Sequence, residues 1–251
     1  MVNAIKSELM KLARPKLMLT IFTILISLEL AFTLLLFYKA DKTLLAELVK
    51  PNGQIYSFRS IAPFIGVLSL CIFASNTAQE YVFGTLKNLL IRQPNRFKLM
   101  IGKFLALSIF LLFSSVLTSS VGFLVSLVQA KAHHIDTSSW RIFSSATISI
   151  FSNVYISALV YGLIGMLLAI IFRSSVAAIS SGIIWTLAIE TLFNFAGKAI
   201  LKWMPGANLA NFGDGGSKEL SYLHSTIVIF IYALISAFLI LFIFNKRDVV
   251  N

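Results

Sequence analysis

The sequence Thr77–Arg92, TAQEYVFGTLKNLLIR, lies between two long apolar runs, so the chain leaves a membrane here and enters it again. Thr77 precedes Glu80 by three positions, a spacing that predicts a capping box at the start of a helix. Further apolar residues then fall on one helical face: Val82, Leu86, Leu89 and Leu90. Pro94 has no backbone donor and ends the helix. This stretch therefore predicts a short amphipathic helix that lies outside the bilayer.

The composition of the whole chain is that of a membrane protein. Of its 251 residues, 58% are hydrophobic and 12% are charged, whereas about a quarter of the residues are charged in an average soluble domain. The apolar runs are long and uninterrupted, which is typical of membrane-spanning helices. No polar segment is long enough to bury a core of its own. We therefore expect an all-α integral membrane protein whose residues 1–251 form a single domain.

Six apolar runs are each long enough for a bilayer core, which takes about 20 residues to cross. The predicted spans are 17–38, 60–78, 103–128, 145–172, 174–196 and 225–244. With an even number of spans, both termini lie on one side. Lys and Arg are more numerous on that side, which also holds the 77–92 segment. The positive-inside rule therefore predicts that the two termini and this segment are cytoplasmic. The net charge of +11 is thus explained by anchoring against anionic lipid and not by nucleic-acid binding.

Residues 2–16 precede the first span and have the pattern of a basic amphipathic helix. The predicted apolar face consists of Val2, Ile5, Leu9 and Leu12, and the polar face of Asn3, Lys6, Ser7, Lys11 and Arg14. Such a helix lies flat on the membrane surface. The alternative is a solvated basic tail.

The motif Glu80-Tyr81-x-x-Gly84-Thr85-Leu86-Lys87-x-Leu89-Leu90, followed by Arg96 and Lys103, resembles the cytoplasmic loop of ABC transporter type-2 permeases. In that family the loop is a coupling helix that sits in a cleft of a separate ATPase subunit, and an elbow helix precedes the first span. The resemblance implies that the ATPase contact is made by Glu80, Tyr81, Val82, Gly84, Thr85, Leu86 and Lys87. The alternative is an amphipathic connector in the headgroup layer.

The resemblance also implies a function and a set of partners. The chain would be the permease subunit of an ATP-driven exporter in a bacterial cell membrane, with two ATPase subunits that carry ATP and Mg and with a second permease copy, identical or paralogous. Small permeases of this kind resemble those of lantibiotic and bacitracin-type immunity systems, which implies an amphipathic or antimicrobial peptide as cargo. The competing interpretation is an ATP-independent secondary transporter or a toxin-sequestering immunity protein. A secondary transporter typically has internal repeats, and the sequence has no clear repeat.

Two acidic residues lie within apolar runs, Glu29 in the first span and Glu190 in the fifth. A charged group at the bilayer centre costs at least about 2.5–3.5 kcal/mol, so such groups face the protein interior and often mark function. We therefore place Glu29, and more weakly Glu190, on a translocation path. The alternative is that each carboxyl is protonated, or hydrogen-bonded to Ser, Thr or Asn of a neighbouring span.

The sequence lacks the motifs of an enzyme. It has no P-loop pattern and no H-E-x-x-H, so we expect no cofactor, metal site or catalytic residue in this chain, and ATP hydrolysis on a separate subunit. His133-His134 fits a solvated loop, and Cys71 lies in an apolar run without a base. Residues 197–224 are either a re-entrant segment or a loop that Trp203 anchors at the interface.

Overall fold

A computed structural model describes residues 2–38, 42–92, 94–141, 143–196, 200, 202–217 and 220–246, and these ranges contain helices and turns without a β-strand. The first half contains α1 (Val2–Leu12), α2 (Pro15–Tyr38), α3 (Lys42–Leu48), a 3₁₀ turn (Gly53–Ile55), α4 (Tyr56–Ser60), α5 (Ala62–Val82) and α6 (Leu86–Arg92). The second half contains α7 (Arg96–Ala132), α8 (Ser145–Phe172), α9 (Ser175–Ile183), a π-helical segment (Ile184–Ile189), α10 (Glu190–Ala196), α11 (Pro205–Gly213) and α12 (Tyr222–Lys246).

Five of these helical stretches have the length and hydropathy that a membrane crossing requires. They are Ala62–Val82, Arg96–Ala132, Ser145–Phe172, Ser175–Phe193 and Tyr222–Lys246. This finding confirms an all-helical protein with several apolar helices that could cross a membrane. The first predicted span, 17–38, coincides with the 24-residue helix α2, in which the side chains of residues 17, 32, 33 and 35–38 lie outside the described part of the chain. The sixth span therefore stays a prediction.

The segment Thr77–Arg92 is not one helix, and the predicted capping box is wrong. Helix α5 continues without interruption to Val82, so Thr77 is a buried residue near the end of a helix and not its N-cap. The chain turns at Gly84, whose φ of 62° lies in the left-handed region that glycine adopts without strain. Helix α6 then begins at Leu86. Between Thr77 and Phe83 there is no glycine or asparagine that would favour an earlier left-handed termination.

Helices α5 and α8 form the central pair of the bundle. Their backbones approach closely at Gly165 of α8, where an added Cβ would lie 2.3 Å from the carbonyl oxygen of Leu70. One α-helical turn earlier, Gly162 accommodates the ring of Phe73, which is itself almost completely buried. Small residues thus allow the close helix contact that stabilises membrane bundles through van der Waals packing.

The N-terminal helix α1 packs against α7, and its buried face differs from the predicted one. Glu8 and Leu12 are buried, whereas Ile5 and Leu9 are only half-buried and Met10 is exposed. The side chains of Val2 and Asn3 lie outside the described residues. The face is different because Glu8 pairs with Lys103 of α7 and with Lys11 of its own helix, so a charged residue occupies the buried side.

At the other end of the bundle, helix α11 packs against α8 and α12. The amide of Asn208 donates to the carbonyl oxygens of Lys202 and Met204, both at 2.8 Å, and the Asn211 amide donates to Ser225 Oγ at 2.7 Å. These bonds satisfy polar side chains in a buried setting. The predicted loop 197–224 therefore folds back onto the bundle from residue 205 on, while residues 197–199, 201, 218 and 219 lie outside the described part of the chain.

Candidate functional site

Four charged side chains meet where α1, α5 and α7 converge, and we call Glu8, Lys11, Glu80 and Lys103 the ion cluster. The Lys103 ammonium lies 2.7 Å from Glu80 Oε1 and 3.9 Å from Glu8 Oε2. The Lys11 ammonium lies 3.5 Å from Glu80 Oε1 and pairs with Glu8 Oε1 one helical turn away. Because the four residues come from three helices, the cluster ties the N-terminal helix to two apolar helices.

Most of the ion cluster is shielded from solvent. Lys103 is 1% exposed and Glu80 is 4% exposed, and the Lys103 ammonium also donates to the carbonyl oxygen of Asn76 at 3.1 Å. Two carboxylates balance two ammonium groups, so the cluster has no formal net charge. A buried ion pair recovers its desolvation cost only with good geometry, and the loss of one partner leaves an unpaired buried charge. The cluster is therefore sensitive to any change in one member.

Lys11 is the most accessible member of the ion cluster. Burial lowers the pKa of its ammonium, but hydrogen bonds and charge attraction from Glu8 and Glu80 outweigh burial, so the net pKa is raised above 10.5. Lys11 therefore stays charged under physiological conditions. It closes the cluster on the side that faces solvent.

The residues predicted to contact an ATPase divide into two groups. Glu80 and Leu86 are buried and Tyr81 is half-buried against the core, so these three face the bundle. The other four are exposed: Val82, Gly84, Thr85 and Lys87. Of the four apolar residues assigned to one face, Leu86, Leu89 and Leu90 pack against the core and Val82 does not. The structure therefore brings only part of the predicted set to the surface.

Two exposed apolar residues of this segment were missed by the sequence analysis. Phe83 is 72% exposed and Ile91 is 73% exposed, and both belong to the connection between two apolar helices. We call the exposed residues of this connection the tip: Val82, Phe83, Gly84, Thr85, Lys87, Asn88 and Ile91. Exposed apolar side chains grouped with a lysine are suited to contact another protein. The run of aromatic and aliphatic residues around Gly84 was the available signal.

A cavity of about 540 Å³ lies beside the ion cluster, between α1, α2, α5 and α9. Its walls combine apolar side chains, among them Ile21, Ile72 and Ile179, with the polar residues Arg14, Gln79 and Glu80. Phe83 and Thr85 of the tip also line it. A cavity with both kinds of wall can accommodate an amphipathic group, and this one connects the tip to the spanning helices.

Glu29 lies in α2 and is completely closed in, with 0% exposure. Neither of its carboxylate oxygens has a hydrogen-bond partner among the described residues. A Cβ at Gly122 of α7 would lie 2.4 Å from Glu29 Oε1, so the carboxyl group occupies the space that this glycine leaves. Glu29 does not line the 540 Å³ cavity. Its role on a translocation path stays a prediction.

Glu190 is also buried, but both of its oxygens accept hydrogen bonds. Oε1 accepts from the backbone N–H of Gly206 at 2.9 Å, and Oε2 accepts from that of Ala207 at 3.0 Å. The carboxyl group thereby caps the N-terminus of α11, where free N–H groups and the helix dipole favour an anion. These two donors are backbone groups, the side chain of Trp185 also hydrogen-bonds to the carboxyl group, and none of the three is a Ser, Thr or Asn side chain considered from sequence. A place for Glu190 on a path also stays a prediction.

The described residues contain no group of three or more His, Cys, Asp and Glu side chains that could hold a metal ion. His134 is an exposed turn residue with a φ of 54°, and Cys71 is a partly buried free thiol. No chemistry at these positions follows from their surroundings.

The sequence analysis named Lys103 only as part of a resemblance and did not single out Glu8. One signal was available for each residue. Glu8 is the only acidic residue before Glu29, in a helix that is otherwise basic, and Lys103 is a basic residue at the edge of an apolar run. Pairing the two requires knowing that α1 folds back onto α7.

Two similarities to known proteins extend over most of the chain. Over 203 residues it is 26% identical to the uncharacterized protein YhcI of Bacillus subtilis (strain 168), an alignment that covers 74% of this chain and 65% of the relative. The chain thus spans about 65% of the length of that relative. Residues 17–250 match the model of a family described as a protein of unknown function, DUF2705. Because that match covers nearly the whole sequence, the chain belongs to the DUF2705 family.

Proposed function

We propose that this chain is the membrane-spanning permease subunit of an ATP-driven ABC exporter whose ATPase is a separate polypeptide. The observation that supports the proposal best is the tip: an exposed apolar and basic surface on a short connection between two apolar helices. Its attachment to the bundle through the buried ion cluster adds to this support. A connector in the headgroup layer would also present apolar and basic side chains, but it has no need of the ion cluster.

The tip would be the part of the chain that the ATPase moves. Val82, Phe83 and Ile91 would supply an apolar contact, and Lys87 would pair with an acidic group of the partner. Displacement of the tip would pull on α5, which continues as a regular helix up to it. In this proposal Glu80 acts inside the protein: through Lys103 it passes the displacement of α5 to α7, and through Lys11 to α1.

The proposed assembly contains two ATPase subunits, which bind ATP and Mg, and a second permease copy that is identical or paralogous. Both termini and the tip would be cytoplasmic, in a bacterial cell membrane. We propose an amphipathic or antimicrobial peptide as the cargo, moved out of the membrane or the cell. The mixed apolar and polar walls of the 540 Å³ cavity support a cargo of that kind.

One observation favours a second candidate, an ATP-independent secondary transporter or a toxin-sequestering immunity protein. Glu29 is a fully buried carboxyl group without a hydrogen-bond partner among the described residues, and intramembrane carboxyl groups of this kind serve in ion-coupled transport. No ATPase partner is needed in that case, and the tip would have no docking role.

The test is to purify the full-length chain from its native membranes in a mild detergent and to measure which proteins remain bound and how fast they hydrolyse ATP. We expect an ATPase to co-purify with the wild type. F83D and I91D, which place a charge on the tip, should each lower its retention at least about tenfold, as the loss of an apolar anchor does. V49D, at a comparably exposed apolar residue in the turn after α3 and outside the predicted spans, serves as the matched control.

Two further variants distinguish docking from coupling. A bulky side chain at Gly84 and the reversal E80K should lower coupled ATP turnover while the chain still inserts into the membrane. E80K should leave the ATPase bound, since Glu80 is not on the surface. If the chain purifies as an active protein with no ATPase, or if F83D and V49D retain equal amounts of it, the proposal is wrong.

A further inference from the structure

A second candidate site lies at the end of the bundle far from α1. Here the C-terminal half of α7 and the start of α8 line a groove of about 640 Å³, which we call the chain groove. Its principal apolar lining consists of Ile55, Val116, Phe123, Leu124, Ile148 and Phe151. The volume lies within the range of about 300–1,000 Å³ that is usual for sites of small ligands. The groove belongs to the apolar part of the bundle, so lipid chains have direct access to it.

A second, polar cavity of about 540 Å³ lies next to the chain groove, and we call it the headgroup pocket. Its lining includes Asn52, Ser139, Arg141 and Ser144. Arg141 is exposed, and its guanidinium group has no ion-pair or hydrogen-bond partner among the described residues. An arginine with free donors is suited to bind phosphate oxygens through two parallel hydrogen bonds.

The two cavities meet at a set of hydrogen bonds that fixes their relative position. Gln54 lines the chain groove, and its Nε2 donates to the carbonyl oxygen of Arg141 at 2.7 Å and to Thr147 Oγ1 at 2.9 Å. The backbone N–H of Arg141 donates to the carbonyl oxygen of Pro51 at 3.1 Å. Next to it, Trp140 Nε1 donates to the carbonyl oxygen of Leu48 at 3.0 Å. The junction is therefore built before any ligand arrives, which lowers the entropy cost of binding.

The charges around the junction favour an anionic ligand. The nearest acidic residue in sequence, Asp136, lines neither cavity, and its two oxygens accept from the hydroxyl and backbone N–H groups of Ser138 at 2.7 and 2.9 Å. Arg141 is left as the cation at the open end of an apolar groove. We infer that this junction binds one phospholipid with an anionic headgroup, its phosphate on Arg141 and one acyl chain in the chain groove.

The experiment measures lipid binding to the full-length protein by native mass spectrometry in detergent, with phosphatidylglycerol and phosphatidylcholine of identical acyl chains. We expect one phosphatidylglycerol per chain to bind in preference to phosphatidylcholine. R141Q should weaken phosphatidylglycerol binding about tenfold, the effect of losing a charge-assisted hydrogen bond. K131Q removes an exposed lysine from the same end of α7, outside both cavities, and should change nothing.

A groove-filling variant tests the acyl chain separately. Ser120 lines the chain groove from α7, and S120F places a ring where the acyl chain would lie, so binding of both lipids should fall. V116W is the second variant if S120F does not fold, and an unchanged melting temperature is the criterion for folding. If R141Q and K131Q lose equal amounts of phosphatidylglycerol binding, the lipid is attracted by diffuse surface charge alone, and the proposed site is overturned. Unchanged binding in both groove-filling variants, or displacement of the lipid by a cationic amphipathic peptide, would also overturn it.

Discussion

Removal of the Lys103 ammonium is the most direct test of the ion cluster. In K103M the side chain keeps its approximate length, but Glu80 loses its partner at 2.7 Å and Glu8 its partner at 3.9 Å. Only Lys11, which is partly exposed, then faces two buried carboxylates. Breaking a buried ion pair in this way costs about 3–5 kcal/mol.

The cost can be measured as a shift in the apparent melting temperature of the detergent-solubilised protein. Since one kcal/mol corresponds to about 2–4 °C in a chain of this size, K103M should melt roughly 6–20 °C below the wild type. The double variant E80Q/K103M restores the charge balance and should recover most of the loss, because it removes both partners of the Glu80–Lys103 pair. K98M, at an exposed lysine of the same helix, is the matched control and should change the melting temperature by about 1–2 °C at most.

Two outcomes would refute the reasoning. If K103M and K98M melt at the same temperature, the ion cluster does not stabilise the fold. If E80Q/K103M melts lower than K103M alone, the cost does not come from an unpaired carboxylate at Glu80.

Three further predictions concern other parts of the bundle. G206A places a Cβ 2.4 Å from Glu190 Oε2 and should displace the cap of α11, at a cost of about 1–2 kcal/mol. We expect G206A to lower the melting temperature, and G206A/E190Q to melt no lower than G206A. G122A places a Cβ 2.4 Å from Glu29 Oε1 and should lower the melting temperature. The double variant E29A/G122A should regain part of that loss. If its melting temperature does not recover, the clash is not with Glu29. The pKa of Lys11 is raised on folding, so with its carboxylate partners ionised its stabilisation is complete below pH 10.5 and is lost as the pH rises through the folded-state pKa. The difference in stability between wild type and K11M should therefore shrink in that alkaline range.

The class of the fold could be predicted from hydropathy because length and apolar content alone decide whether a helix suits a bilayer. Span 145–172 agrees with α8 at both ends because Ser144 caps its start and Arg173 ends it with a left-handed φ of 53°. The predicted span 103–128 is shorter than helix α7. This helix extends beyond its apolar core at both ends, and polar residues outside a bilayer can be helical without changing the hydropathy pattern.

The position of the candidate site could be predicted from sequence, but the direction in which its side chains point could not. The position of the connection after α5 follows from the two apolar runs around it, and the turn at Gly84 is a local property of glycine. The direction in which Glu80 points does not follow, because it depends on Lys103, which is 23 positions further along the chain, and on α1 folding back. A helical pattern assigns residues to faces, but only tertiary contacts decide which face is buried. The same limit explains why Glu190 was considered as part of a path and not as a cap.

The π-helical segment Ile184–Ile189 gives the stretch between α9 and α10 one residue more than a regular α-helix of the same rise requires. In a regular α-helix one inserted residue turns everything after it by about 100° around the axis, and the wider π turn absorbs that rotation. Glu190 follows the segment directly, so its direction toward Gly206 depends on the wide turn. Deleting the outward-facing Leu187 would remove the extra residue and let a regular helix keep the acid directed at α11. A single-codon deletion, which ordinarily turns the rest of a helix away from its contacts, would here make the helix more regular and leave the neighbouring segment its anchor.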